Sequence, residues 1–329
     1  MRVGVGAATL RDVPNRAALA AEAAALVDVP RVAAIVREVP RWYAAAGRAV
    51  PWRFSRDPYA ILVAELMSQQ TQVGRVATAW PAFLSSFPTV EALAAAPTAE
   101  VLTAWRGMGY NRRALRLQEA ARRIVDEHDG VVPADVAALE TLPGVGPYTA
   151  RAVAAFAYDL PAAPVDTNIA RVLARAVAGA PLTRPAVQAV ADALLPAEDP
   201  AMWNHALMDL GATHCTARDP RCGDCPLLPN CAWRQTGGPD PIEGSALRPR
   251  PQGRFIDSDR YHRGRLVDAL RAAPLGSSQV RECLSGLDEA RRRRIVDGLR
   301  ADGLVEDRGD GLGLVGDPRR VPDPGRGQR

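Results

Sequence analysis

Four of the five cysteines fall in one short stretch, Cys215, Cys222, Cys225 and Cys231, with the spacing C-x6-C-x2-C-x5-C. Four thiolates this close together can wrap one metal centre, either a tetrahedral zinc ion or an iron–sulfur cluster. Disulfides are not expected if the chain works in a reducing compartment. Cys283 lies far downstream and reads as an ordinary buried thiol. Two carboxylates also stand out. Glu65 is the one charged residue of ILVAELM, flanked by apolar residues at 61, 62, 66 and 67, so partial burial is expected. A carboxylic acid still holds a proton to donate near neutral pH only if burial raises its pKa, each unit being worth about 1.4 kcal/mol. Asp166 stands at the start of VDTNIARVLAR, where a helix N-terminus favours an anion; a plain N-cap is the simpler reading. The chain contains no lysine, all 41 of its basic residues being arginine. No side-chain amine can therefore form a Schiff base with an opened sugar.

These groups need elements to hold them. LPGVG at 142–146 reads as a tight turn whose two glycines can take φ > 0 at no cost and let a backbone approach closely. The run Pro147–Tyr158 follows, with Ala150, Val153, Ala154 and Ala157 at helical spacing. Helix, glycine hairpin, helix is the expected local structure, with the second helix aiming free N–H groups at an anion such as a DNA phosphate. Upstream, helices are expected at 32–46 with a break or kink at Pro40, at 59–68, 72–86, 89–96, 98–106 and 111–128, with Thr89 and Thr98 as N-caps and 51–60 as an extended turn. Helices near 184–195 and 199–213 precede the cysteine loop. Beyond a Gly/Pro-rich stretch come three more, near 258–272, 278–285 and 288–302, and then LVEDRGDGLGLV, which reads as a hairpin.

The cysteine spacing directly after WNHALMDLGATH resembles the [4Fe-4S] loop of the endonuclease III and MutY-type DNA glycosylases. LPGVG and VDTN together resemble the hairpin and catalytic aspartate of that helix-hairpin-helix superfamily. AELMSQQTQV, residues 64–73, is similar to the MutY-type segment in which a glutamate precedes QQTQV, and RGMGYNRR is similar to the GLGYY segment. The resemblance, over residues 35–235, implies a mainly α, two-lobed glycosylase fold with a [4Fe-4S] cluster on Cys215, Cys222, Cys225 and Cys231. It implies Glu65 as general acid, Asp166 as the carboxylate facing an oxocarbenium-like sugar, and Tyr148 as an orienting hydroxyl. Tyr148 occupies the position where the endonuclease III branch has its catalytic lysine, so base removal without strand cleavage is expected. DNA contacts are implied at Gln70, Tyr110, Leu142, Gly144, Val145 and Gly146, with Arg218 and Arg221 of the cysteine loop on phosphates. Asn111 departs from the pattern, replacing a tyrosine. The implied activity is excision of adenine opposite 8-oxoguanine or guanine in double-stranded DNA. A thymine or uracil mismatch glycosylase and a non-catalytic iron–sulfur DNA-binding protein are the alternatives.

Length, 329 residues, allows several domains. The expected division is 1–29 disordered or weakly helical, 30–234 the glycosylase core (a six-helix lobe at 58–164 and an iron–sulfur lobe of 30–57 with 165–234), 235–253 a linker, 254–316 a winged-helix-like unit and 317–329 a disordered tail. A net charge of only +4 means that any DNA footprint is a local arginine patch; Arg291–Arg294 read either as part of one or as a solvated basic face. No apolar run is long enough for a membrane span and no signal peptide is evident, so a monomeric cytoplasmic protein is expected. Nothing after residue 253 is similar to the nucleotide-hydrolase-like domain that many MutY-type proteins carry.

Overall fold

The computed structural model describes residues 28–243, 245, 247, 254–319 and 321. The expectations for 1–27, 248–253 and 322–329 lie outside these residues. The chain forms two units, one built from Met1–Gly47 with Val165–Pro249, the other from Arg48–Pro164 with Arg250–Arg329. Both are mainly helical. No helix among the described residues is long and apolar enough to cross a membrane.

In the second unit, the helix Pro58–Ser68 is the central element. Asp57 caps it, accepting from the Tyr59 N–H at 3.0 Å, and Pro58 opens it, as a helix start prefers. Every residue from Tyr59 to Met67 is buried. A helix apolar on all faces belongs inside a domain, and helices Val73–Ser86, Arg112–Glu127 and Pro147–Tyr158 surround this one. Pro147–Tyr158 packs through Ala150, Val153 and Ala154, all fully buried. Two expectations fail upstream and downstream of it. Pro51–Phe54 is a 3-10 turn rather than extended chain. Thr98 does not cap: Pro97 precedes the helix Thr98–Ala104, and the Thr98 hydroxyl donates to Gln118 Oε1 at 2.9 Å. Thr89 does cap, accepting from the Ala92 N–H.

The C-terminal segment belongs to this same unit. Helix Asp259–Ala272 buries Leu266, Val267 and Leu270 and packs on Thr98–Ala104. Helices Ser277–Cys283 and Glu289–Ala301 follow, with three short antiparallel strands, β1 (Leu275–Gly276), β2 (Val305–Arg308) and β3 (Gly311–Leu314), in the order β1-β3-β2. Pairing of Leu275 with Leu312 and of Val305 with Leu314 sets the register. The expected hairpin is present, and β1 adds a third strand.

In the first unit, Val29–Ala46 runs unbroken through Pro40. It packs on Pro200–Thr213, which lies against Thr167–Val172. That last helix continues as a π-helical turn, Leu173–Ala178. The stretch expected to be a linker is structured at its start: Ile242 is fully buried, and Asp240 pairs with the buried Arg175 at 2.6 Å.

Candidate active site

Glu65 is only 4% exposed; burial is nearly complete rather than partial. The end of its helix turns into the segment 69–72, where Gln70 is exposed and takes φ 56°. Tyr110, at the tip of RGMGYNRR, takes φ 45° and is 38% exposed. Left-handed backbone at non-glycine residues costs about 1 kcal/mol or more and persists only where the surroundings impose it. Here one guanidinium ties together the segments that flank both. Arg113, 8% exposed, donates through Nη1 to the carbonyls of Leu66, Met67 and Gln69 at 2.9, 2.9 and 2.5 Å. Through Nη2 it donates to Thr71 Oγ1 and to the carbonyls of Met108 and Gly109 at 2.9, 2.9 and 3.2 Å. It also lies 5.5 Å from the ring centroids of Trp105 and Tyr110. Burial pushes the Arg113 guanidinium down to about 10, which leaves it cationic at neutral pH. This residue was missed in the sequence, although it shares helical phase with Leu117, Ala120 and Ile124.

The hairpin joins the same network: Gln69 Nε2 donates to the Gly144 carbonyl at 3.1 Å and to Thr149 Oγ1 at 3.3 Å. Gly144 takes φ 83°, and a Cβ there would meet Arg116 Cβ at 3.0 Å, so only glycine fits without strain. Leu142 and Val145 are 2% and 6% exposed. Their side chains anchor the hairpin in the core. What the hairpin offers a ligand is backbone, at Gly146 in particular, which caps Pro147–Tyr158 and has open space around it. Tyr148 is half-buried in the first turn of that helix.

Asp166 caps Thr167–Val172. Its Oδ1 accepts from the Ile169 N–H at 2.7 Å and its Oδ2 from Asn168 Nδ2 at 2.6 Å. Burial pushes its pKa up; the two hydrogen bonds and the Arg171 charge oppose that rise without cancelling it. The helix start alone does not make this an easy anion, contrary to expectation. Arg171 Nη2 holds Asn168 Oδ1 at 2.6 Å and the Gly211 carbonyl at 2.8 Å, while its Nε reaches the Cys215 carbonyl at 3.0 Å. A Cβ on Gly211 would sit 2.6 Å from Asn168 Cβ. Glycine at 211 thus lets Pro200–Thr213 press against the segment that carries Asp166.

All four loop cysteines line a single cavity, walled by Val172, Leu210 and Leu227. Arg175 Nη1 reaches Cys215 Sγ at 3.4 Å. Burial alone would lower the Arg175 guanidinium, but the Asp240 carboxylate and Cys215 reverse this and raise it. Burial pushes the Cys225 thiol up to about 11. Among the described residues, no three His, Cys, Asp or Glu side chains converge as ligands of a single metal ion. Arg218 and Arg221 are exposed on this loop, Arg221 with Asp224 at 3.1 Å.

The model of the HhH-GPD superfamily base excision DNA repair proteins matches residues 63–194, a stretch that includes Gln70, Tyr110, the hairpin and Asp166. Adenine DNA glycosylase of Mycolicibacterium smegmatis is 48% identical over 280 residues, covering 83% of this chain and 93% of that protein. The chain belongs to the MutY-type adenine glycosylase family. Adenine DNA glycosylase of Mycobacterium tuberculosis is likewise 48% identical, over 278 residues. Among solved structures, a thermostable thymine-DNA glycosylase is similar with a TM-score of 0.61 and 31% identity, covering 63% of this chain and 98% of its own. Endonuclease III in a trapped covalent intermediate with DNA is similar with a TM-score of 0.54 and 26% identity, covering 61% of this chain and 94% of its own. The mycobacterial members of the family align over too much of this chain to stop at residue 234, so their match runs into the C-terminal segment. The thymine-DNA glycosylase is matched almost entirely by a smaller share.

Proposed function

We propose that this family member is a monofunctional adenine glycosylase acting on adenine opposite 8-oxoguanine or guanine in duplex DNA. The observation that carries the reading is Glu65, a carboxyl buried in an otherwise apolar helix whose end forms the strained Gln70 segment. Adenine is a poor leaving group, and an acid shielded from water is what it requires. In this reading the base is flipped out at a cost of a few kcal/mol, reduced by mispairing, while Gln70 and Tyr110 fill the gap. Glu65 gives its proton to adenine N7, and the C1′–N9 bonding pair leaves with the base. The cationic sugar is met by the Asp166 carboxylate, whose desolvation strengthens the attraction. Water then adds to C1′ and its proton is lost, leaving an abasic site. Tyr148 orients these groups by hydrogen bonding, and Gly144, Gly146, Arg218 and Arg221 hold phosphates.

With no lysine in the chain, no side-chain amine is available to carry the reaction on to strand cleavage. The test is a labelled duplex carrying A opposite 8-oxoguanine, G or C, or T or U opposite G. Breaks at A opposite 8-oxoguanine or G, appearing only after hot alkali, are expected. Breaks without alkali overturn the monofunctional reading; excision of T or U supports the mismatch alternative, and no excision a binding protein.

We further infer that Cys215, Cys222, Cys225 and Cys231 hold a [4Fe-4S] cluster. Four thiols on one apolar-walled cavity fit such a group, which folds and presents the loop that carries Arg218 and Arg221. The purified protein is expected to be brown with broad visible absorbance, which Cys222→Ser abolishes. Colourless protein with one zinc per chain would overturn the assignment.

A further inference from the structure

The C-terminal segment reaches Tyr110. The Arg260 guanidinium lies 5.2 Å from the centroid of the Tyr110 ring and 4.9 Å from that of Phe255, and its Nη1 donates to the Tyr110 hydroxyl. Phe255 meets Tyr261 edge-on at 5.6 Å. Even so, Phe255 and its neighbour Ile256 stay 54% and 56% exposed. Apolar groups left this open beside a cation are contributing little to the core, and such patches mark binding surfaces. The nearby Asp259 is already occupied by Arg291 at 2.7 Å and Arg294 at 3.7 Å, so it does not cancel the charge of Arg260.

We propose that Phe255 and Arg260, together with Tyr110, form a stacking site for the unpaired base left in the opposite strand when the target nucleotide is flipped out. The inference rests on the base-flipping reading above. If Tyr110 wedges into the duplex, the groups stacked beside it are the first that an orphaned base meets. An unpaired base exposes two π faces, and an aromatic ring flanked by a planar guanidinium offers matching surfaces. Arg260 keeps further N–H donors, whose fork suits the O6 and N7 acceptors of a guanine-type base. The occupant is thus a nucleobase, recognised by stacking with a hydrogen-bonding preference for purines.

The test compares two duplexes carrying 2′-fluoro-adenosine, which resists cleavage, placed opposite guanine in one and opposite a tetrahydrofuran abasic site in the other. Full-length wild type, Phe255→Ala and Arg260→Ala are titrated against each, with wild-type excision of ordinary A:G duplex as the control. Each variant is expected to bind the guanine duplex about tenfold more weakly, as loss of one stacked base predicts, and the abasic duplex within about twofold of wild type. An equal loss on both duplexes, as from a phosphate contact or a disturbed Tyr110, overturns the proposal, and so does no loss on either. Because Phe255 is largely exposed, its variant folds even if the Arg260 variant does not. A wild type that binds but excises no adenine points instead to failure of the catalytic reading, and the base-versus-abasic comparison still decides this one.

Discussion

Asp166→Asn is expected to lower adenine excision by at least about 10³-fold, the scale on which a single preorganised electrostatic partner of a transition state acts, while duplex affinity persists. Its stability signature separates this from a structural role. Asparagine caps helices as well as aspartate, so the start of Thr167–Val172 survives, though one of the bonds from Ile169 and Asn168 must weaken because an amide has only one oxygen to accept them. Burial raises the Asp166 pKa in the folded protein. Its ionisation therefore works against folding: the cost is absent below the unfolded value, about 3.9, and complete above the folded one. The melting-temperature difference, variant minus wild type, should then rise between pH 4 and pH 8. A difference that falls over that range, or a loss of DNA binding together with activity, would mean that Asp166 serves the fold rather than the sugar.

Arg113→Met is expected to cost about 3–5 kcal/mol of stability, the range for removing one partner from a buried charged network. For a protein of this size that is a fall of roughly 10 °C in melting temperature. Six oxygens of the 66–71 and 108–109 segments lose the Arg113 donor at once, though Gly109 keeps Trp105 Nε1. The segments that flank the left-handed Gln70 and Tyr110 are then no longer tied together, so excision should fall with stability. Arg113→Lys should rescue little, since an ammonium has three donors and no planar fork. Calorimetry with single-turnover excision on both variants checks this; a lysine variant that melts like wild type would sink the hub.

What was legible in the sequence was local. The cysteine spacing, the acid alone among apolar neighbours, the glycine turn and the aspartate opening a helix are each contained within a few residues. What was missed depends on partners distant along the chain. Nothing local separates Arg112 from Arg113, yet Arg112 turns outward to Asp302 at 3.2 Å while Arg113 is buried. The burial of the Leu142 and Val145 side chains was not legible, because an apolar residue in a hairpin can as well anchor the turn as touch a ligand. Asp240 and Ile242 sat in a Gly/Pro-rich stretch whose composition hides a buried ion pair. β1, two residues long, is too short to show alternation. Arg292 and Arg293 proved to pair with Glu289 within their own helix, while Arg291 and Arg294 engage Asp259 on another helix, a pairing that composition does not encode.

Arg271, 5% exposed, is where the C-terminal segment meets the six-helix part of its unit: Nε donates to the Leu102 carbonyl at 2.8 Å and Nη2 to Asn111 Oδ1 at 2.9 Å. The asparagine that breaks the aromatic pattern after Tyr110 is thus the acceptor for an arginine some 160 residues later in the chain. A buried guanidinium seated in this way makes the tail a poor candidate for exchange by domain shuffling. A chain cut before residue 254 would leave the Leu102 carbonyl and the Asn111 carboxamide to water, with the surface beneath Leu266, Val267 and Leu270 laid bare. Replacing the tail would deprive Asn111 of this donor, so position 111 and the tail form one structural unit rather than two independent ones.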